Sequence, residues 1–184
     1  MNWTIRFESN YQSSEGVSEE ELLRFLHTWN IALTAQENKE IKDRQRNPFP
    51  LTDPLYPKYI PIDLATWSFP QKKLPESYLA FLRYAHGGEF GNGERYFQFF
   101  STADLREMNL AYEIPEYMPD AVSFAMDGSG NHYLWDMRGD RKNGEYPILV
   151  AHSGNLGYED CKKIADTFME LCTGTTSVDE ELNG

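Results

Sequence analysis

The sequence predicts an α+β domain, a mainly antiparallel sheet flanked by helices. Three observations carry that expectation. Two stretches, at residues 17–33 and 74–88, repeat apolar side chains at helical spacing. Four short apolar runs, RYFQFF, AVSFAM, HYLWDM and YPILVA, are bounded by turn residues, as strands are. The last three lie too close together for crossover helices, so they should pair as an antiparallel meander, not a doubly wound parallel sheet. A single domain is expected over residues 1–184: a core at about 74–172, an N-terminal extension at 1–73 packed on it, and an acidic flexible tail at 173–184.

Taken in order, NWTIRFE alternates Trp3, Ile5 and Phe7 against Thr4, Arg6 and Glu8, a short strand pattern. In VSEEELLRFLHTWNIAL, Ser18 and Glu21 make a capping box, and Leu22, Phe25, Leu26, Trp29 and Leu33 form one helical stripe. Its continuation to Asn47 has almost no apolar face and reads as exposed helix or mobile arm. Six prolines between Pro48 and Pro70, ahead of Pro75, forbid regular structure there. The aromatics of that stretch (Phe49, Tyr56, Tyr59, Trp67, Phe69) indicate an ordered excursion packed on the domain rather than a linker.

LPESYLAFLRYAHGG restores a helix, with Pro75 in its first turn and Gly87–Gly88 as its stop. His86 is expected in its last turn, where partial negative charge favours a cation. STADLREMNLAY should be a short helix capped by Ser101 or Thr102. Apolar residues at Cys161, Ile164, Ala165, Phe168, Leu171 and Cys172 predict a closing helix over about Tyr158–Cys172. On such a helix the two cysteines stand roughly 16 Å apart along the axis and cannot bridge. Both read as buried core thiols of a reducing compartment.

Composition excludes some functions. A chain of 184 residues that is 40% hydrophobic can build a well-packed core. Its formal charge of −12, from 29 acids and 17 bases, argues against nucleic acid, which needs a basic face. The charge suits solubility and steering toward a basic partner. The start lacks a signal-peptide layout and no apolar run approaches a membrane span, so a cytosolic, membrane-free location is expected.

The motif that decides between enzyme and binding module is FAMDGSGNHYLWDMR, residues 124–138. A calcium loop fails on spacing, because His132 and Arg138 stand where Gly and a bidentate Glu belong. A nucleophile elbow fails too, because Ser129 lies directly between Gly128 and Gly130. Val122, Phe124 and Met126 alternate before the loop, and Tyr133, Trp135 and Met137 after it, so a hairpin tip is expected. HGGE at His86–Glu89 partly resembles an oxyanion loop but has no elbow to serve. The four histidines (27, 86, 132, 152) are scattered, and His152 reads as structural. No catalytic residue, metal ligand or cofactor is expected. A hydrolase would need a concave pocket with converging titratable groups.

One segment leans toward binding. DLREMNLAYEIPEYMPD carries Asp104, Glu107, Glu113, Glu116 and Asp120 interleaved with Tyr112 and Tyr117, and Glu89 and Glu94 lie nearby. Aromatic anchors ringed by one sign of charge suit capture of a basic protein.

Four stretches together also resemble a known superfamily. LPESYLAFLRYAHGGEF resembles the SUKH helix, an aromatic-rich segment after Leu-Pro that ends in Asn-Gly-Gly, with His86 here in place of Asn. FQFFSTADLREMN resembles the strand and helix that follow, VSFAMDGSGNHYLWDMR the central hairpin, and KKIADTFMELC the closing helix. The resemblance covers about Leu74–Cys172, with the first helix and the proline-rich excursion as additions. That superfamily includes yeast regulators of cell-wall synthesis and many bacterial immunity proteins. The resemblance therefore implies a non-catalytic protein-binding module, monomeric or weakly dimeric. The leading expectation is an immunity protein that neutralises a basic toxin domain, such as a nuclease, by occlusion. A regulatory scaffold for an intracellular partner is the alternative, with a hydrolase behind it.

Overall fold

The computed structural model describes residues 2–183. Strand β1 (Ser9–Glu15) precedes helices α1 (Glu19–Thr28) and α2 (Ala35–Arg44), followed by an irregular stretch with 3-10 turns at Tyr56–Lys58 and Leu64–Thr66. Then come α3 (Glu76–Tyr84), β2 (Ala85–Asn92), β3 (Arg95–Phe99), α4 (Asp104–Ala111) and α5 (Ile114–Tyr117). Strands β4 (Ala121–Met126), β5 (Asn131–Asp136), β6 (Ile148–His152) and β7 (Lys162–Ala165) lead to α6 (Phe168–Thr173) and α7 (Val178–Asn183). The strands form one seven-stranded sheet in chain order, antiparallel at every step. The domain is α+β, as the alternating runs predict. Among the described residues no helix is long and apolar enough to cross a membrane.

Alternation along the strands sorts the two sides of the sheet. Phe124, Tyr133, Trp135, Ile148 and Val150 point toward α3 and α6, where Tyr78, Phe81 and Phe168 are fully buried against them. Leu134, Leu149 and Ala151 point the other way and pack under Ile114 and Met118. Asn109 fixes α4 on that second side. Its side-chain amide donates to the Ser123 carbonyl at 2.7 Å and accepts from the Ser123 amide at 2.8 Å. Those groups fall at a register shift in β4, and the Asn supplies the partners that a regular ladder would have given.

Four local expectations are corrected. The alternation at residues 2–8 is real in burial, because Trp3, Ile5 and Phe7 pack against the core, but the strand is the polar segment that follows. An edge strand is held by its backbone ladder to β2, which no side-chain pattern announces. Second, Gly87 and Gly88 do not end a helix. They lie inside β2 with φ of 74° and 121°, and a Cβ on Gly88 would sit 2.3 Å from the Gln12 carbonyl oxygen. They are needed for close approach between strands. His86, on the same strand, accepts from the Thr102 amide through Nε2 and is not in the last turn of α3. Third, the closing helix is two elements, β7 and then α6, which restarts when the Thr167 hydroxyl accepts from the Glu170 amide. The short edge strand happened to match helical spacing. Fourth, Cys172 is buried, but Cys161, in the loop before β7, is only half-buried at the rim of the second apolar cluster; both are free thiols.

The additions are tied down by named contacts. In the proline-rich stretch Trp67 and Phe69 are buried, and Trp67 Nε1 donates to Glu116 at 2.6 Å. The low-apolar stretch after α1 is the helix α2, opened by a Thr34–Glu37 capping box. At the other end, α7 buries Val178, and Glu181 pairs with Arg95.

His132, on the α4 side of β5, is fully buried. Its Nδ1 lies 2.9 Å from the Ser123 hydroxyl, its Nε2 has no partner among the described residues, and Tyr112 stands edge-on at 4.4 Å. Burial lowers its pKa to about 4, with a smaller opposing pull from Asp127. The unfolded imidazole takes up its proton near pH 6.5, the folded one only near pH 4. Stability is therefore complete above pH 6.5 and should fall by about 3 kcal/mol as the pH drops to 4. Urea denaturation across that interval checks this; His132→Gln, which cannot titrate, should flatten the dependence.

Candidate partner-binding surface

Helix α4 organises the candidate surface. Its buried side is Leu105, Asn109 and Leu110. Its exposed stripe is Asp104, Glu107 and Ala111, spaced three and four residues apart and so on one face. Ser101 opens the helix, its hydroxyl accepting from the Asp104 amide at 3.2 Å while Asp104 Oδ2 accepts the Ser101 hydroxyl at 2.6 Å. Glu113 then takes a left-handed conformation (φ 57°) and turns the chain into α5.

Three depressions lie along this helix. One of about 410 Å³ at its N-terminal end holds Glu89 and Asp104. A second, about 350 Å³ between α2 and α4, holds Glu107. A third, about 440 Å³, lies against the β6–β7 loop and brings together Tyr112, Glu113 and Tyr117. Glu94 sits apart, exposed in the β2–β3 turn. Asp120 lies exposed at φ 64°, just before β4. The nine residues therefore form an edge along α4 and α5, not a single pocket.

Several have local duties. Glu116 accepts from Trp67, and Glu89 accepts the Tyr96 hydroxyl at 2.5 Å. Tyr112 is half-buried against His132. Tyr117 is 48% exposed, and its pKa is raised by burial and by Glu113 and Glu116 beside it. Asp104, Glu107, Glu113 and Asp120 keep carboxylates at or near the surface.

The one base of α4 is turned away from this edge. Arg106 spends all five N–H groups inside: two on Glu37, at 2.6 and 2.9 Å, and three on the carbonyls of Trp29, Ile31 and Ala32. Its guanidinium also lies 4.8 Å over the Phe69 ring. The outward face of α4 is left acidic.

The loop at Asp127–Asn131 closes a hairpin. Asp127 Oδ1 accepts from the Ser129 and Asn131 amides at 2.8 and 2.9 Å, and Oδ2 from the Asn131 side chain at 2.6 Å. Gly128 and Gly130 supply positive φ. His152 is exposed, and its Nδ1 accepts from the Gly154 amide. Among the described residues no three His, Cys, Asp or Glu side chains are grouped to hold a metal ion.

Sequence reasoning missed the outer side of β1–β3. Tyr11 there is 64% exposed and leans on Tyr96, ring centroids 5.7 Å apart. The alternation of RYFQFF already placed Tyr96 and Gln98 opposite the phenylalanines, but nothing local marks Tyr11 as their neighbour across two strands.

Comparison with known proteins adds one match. The sequence model of the SMI1 / KNR4 family (SUKH-1) matches residues 68–173, more than half of the chain, and leaves α1, α2 and most of the proline-rich stretch outside it. No curated protein matches the chain.

Proposed function

The chain belongs to the SMI1 / KNR4 family (SUKH-1), and from that premise we propose that it is a non-catalytic binding module, an immunity-type protein that occludes a basic toxin domain. One observation carries the reading: residues 104–120 contain five carboxylates, four of them at or near the surface, and the exposed Tyr117, while their single base, Arg106, is consumed by Glu37 and backbone carbonyls. A nuclease shows a basic surface to phosphate, and an acidic edge with an exposed aromatic can take its place. Occlusion needs no acid, base or nucleophile. The conspicuous polar groups here are occupied structurally: Asp127 in its turn, Ser123 with His132, His86 with Thr102. Binding would be cytosolic and would involve Asp104, Glu107, Glu113 and Asp120 as steering charges, with Tyr117 as an anchor.

The test is titration calorimetry with the basic toxin domain encoded beside this chain. Wild type should bind, and Glu107→Lys with Glu113→Lys should weaken binding by about tenfold or more, since like charges across an interface repel. Equal affinity for wild type and the double variant would remove α4 and α5 from the interface. Absence of binding at low salt would remove the reading.

A further inference from the structure

Helices α4 and α5 cover the outer side of β4–β6 but stop short of β1–β3. There Glu89, Tyr96 and Gln98 remain half-buried, and Tyr11 is largely exposed. This uncovered half-sheet forms the floor of the depression of about 410 Å³ whose wall is the N-terminal turn of α4. Beside that depression the half-sheet carries an aromatic pair, Tyr11 and Tyr96, that is held in place. The Tyr96 hydroxyl donates to Glu89, Tyr11 packs on the Tyr96 ring, and Gly91 gives Tyr11 room, since a Cβ there would stand 3.1 Å from that ring. Gly128 does the same for Tyr96 from the hairpin tip, at 3.2 Å.

The charge around this floor has one sign. The segments that build it, residues 8–18 and 85–104, contain five carboxylates (Glu8, Glu15, Glu89, Glu94, Asp104), His86, whose Nε2 accepts from the Thr102 amide, and one permanently charged base. That base, Arg95, is 3% exposed and paired with Glu181. A second copy of this acidic chain would meet its own charges across such a face, and a phosphate backbone would be repelled. A basic protein surface is the complementary occupant. Tyrosine at the centre of a charged rim supplies contact area at low entropic cost, more so when its ring is already braced.

We propose that the outer side of β1–β3 is the main seat of the basic partner, with Tyr11 as its anchor and Gln98 on the floor. This rests on the binding reading above and extends its interface from the α4–α5 edge onto the sheet. The partner's cationic segment would cross the half-sheet against Asp104, in line with the acidic edge of α4.

The test compares Tyr11→Ser, Gln98→Arg and a remote charge control, Glu20→Lys on α1, with wild type in binding the adjacent-gene toxin domain. Tyr11→Ser and Gln98→Arg should each weaken binding by about tenfold or more, the range of interface anchors, and Glu20→Lys by less than about threefold. Tyr11→Ser and Gln98→Arg should keep the wild-type melting temperature, since Tyr11 is exposed and Gln98 is half-buried at the surface, and Glu20→Lys, which loses its pair with Arg24 and a first-turn acid of α1, should stay within about 4 °C of it. Wild-type affinity in Tyr11→Ser and Gln98→Arg would overturn the proposal and leave the binding reading intact. Equal losses in Gln98→Arg and Glu20→Lys would reduce the attraction to diffuse charge and overturn it as well. No binding by wild type would remove the binding reading first, and the face with it.

Discussion

Arg106→Ala should cost on the order of 3–5 kcal/mol of stability, because it removes one partner of a largely buried ion pair and unmakes five hydrogen bonds at once. Arg106 and Glu37 side chains are 14% and 22% exposed. The guanidinium joins α4 to three carbonyls at the end of α1 and to the cap of α2, so its loss should also free residues 30–44 from the domain. Lysine has three donors and no planar fork, and should recover less than half of the loss. The acid limb gives a second readout. The Arg106 hydrogen bonds, with the Thr34 cap, hold the Glu37 pKa at about 2. The folded carboxyl releases its proton more readily than the unfolded one, so this stabilisation is complete above about pH 4.5. It drains away as the pH falls toward 2, by about 3 kcal/mol at most. Arg106→Ala should lose most of that slope, measured by urea denaturation between pH 2 and 5. Stability within about 1 kcal/mol of wild type would show that α2 is held by other contacts.

Arg95→Ala is expected to cost a comparable amount, about 3–5 kcal/mol, by a different route. The guanidinium is nearly inaccessible and donates to the Thr176 carbonyl and hydroxyl at 2.8 and 3.0 Å and to Glu181 at 2.5 Å. It binds the C-terminal segment to the β2–β3 hairpin, where the Glu94 amide adds a bond to the Thr175 carbonyl. Gly174 has no freedom to change, because a Cβ there would lie 2.1 Å from Arg95 Nη1. Removing the arginine leaves a polar void beneath α7. Glu181→Gln should cost less, about 1–2 kcal/mol, because the glutamine oxygen can still accept from Arg95 and Thr176 although the buried guanidinium loses its counter-charge. Limited proteolysis beyond residue 173 should accelerate in Arg95→Ala and not in Glu181→Gln. Equal costs for the two would place the latch in the ion pair itself.

These ties mark where sequence reasoning stops. The hairpin around Asp127 and helices α1 and α3 were legible because their own residues state the pattern: alternation with turn glycines, or a stripe with a cap. The Thr34–Glu37 box was legible in principle, but α2 buries Ile41 and little else, so its thin stripe left exposed helix and mobile arm both open. Strand β1 was not legible, because SNYQSSE is stabilised by a ladder to β2, which is nearly eighty residues away in sequence. Nor were β7 and α6, where apolar spacing fits two short elements as well as one helix. The acidic edge at 104–120 was visible as composition. That Arg106 faces inward, and that Tyr11 and Tyr96 meet across β2, depends on tertiary placement alone.

Partner capture as proposed depends on an acidic face that draws in a basic protein. Its most direct test is the association rate between this chain and the adjacent-gene toxin domain, measured by stopped flow as ionic strength rises from about 0.05 to 0.5 M, over which the Debye length shrinks to a few ångströms. Steering by this face predicts a fall of about tenfold or more, with the slope reduced in Glu107→Lys with Glu113→Lys. A rate that stays level with salt, or an unchanged slope in that variant, would contradict it.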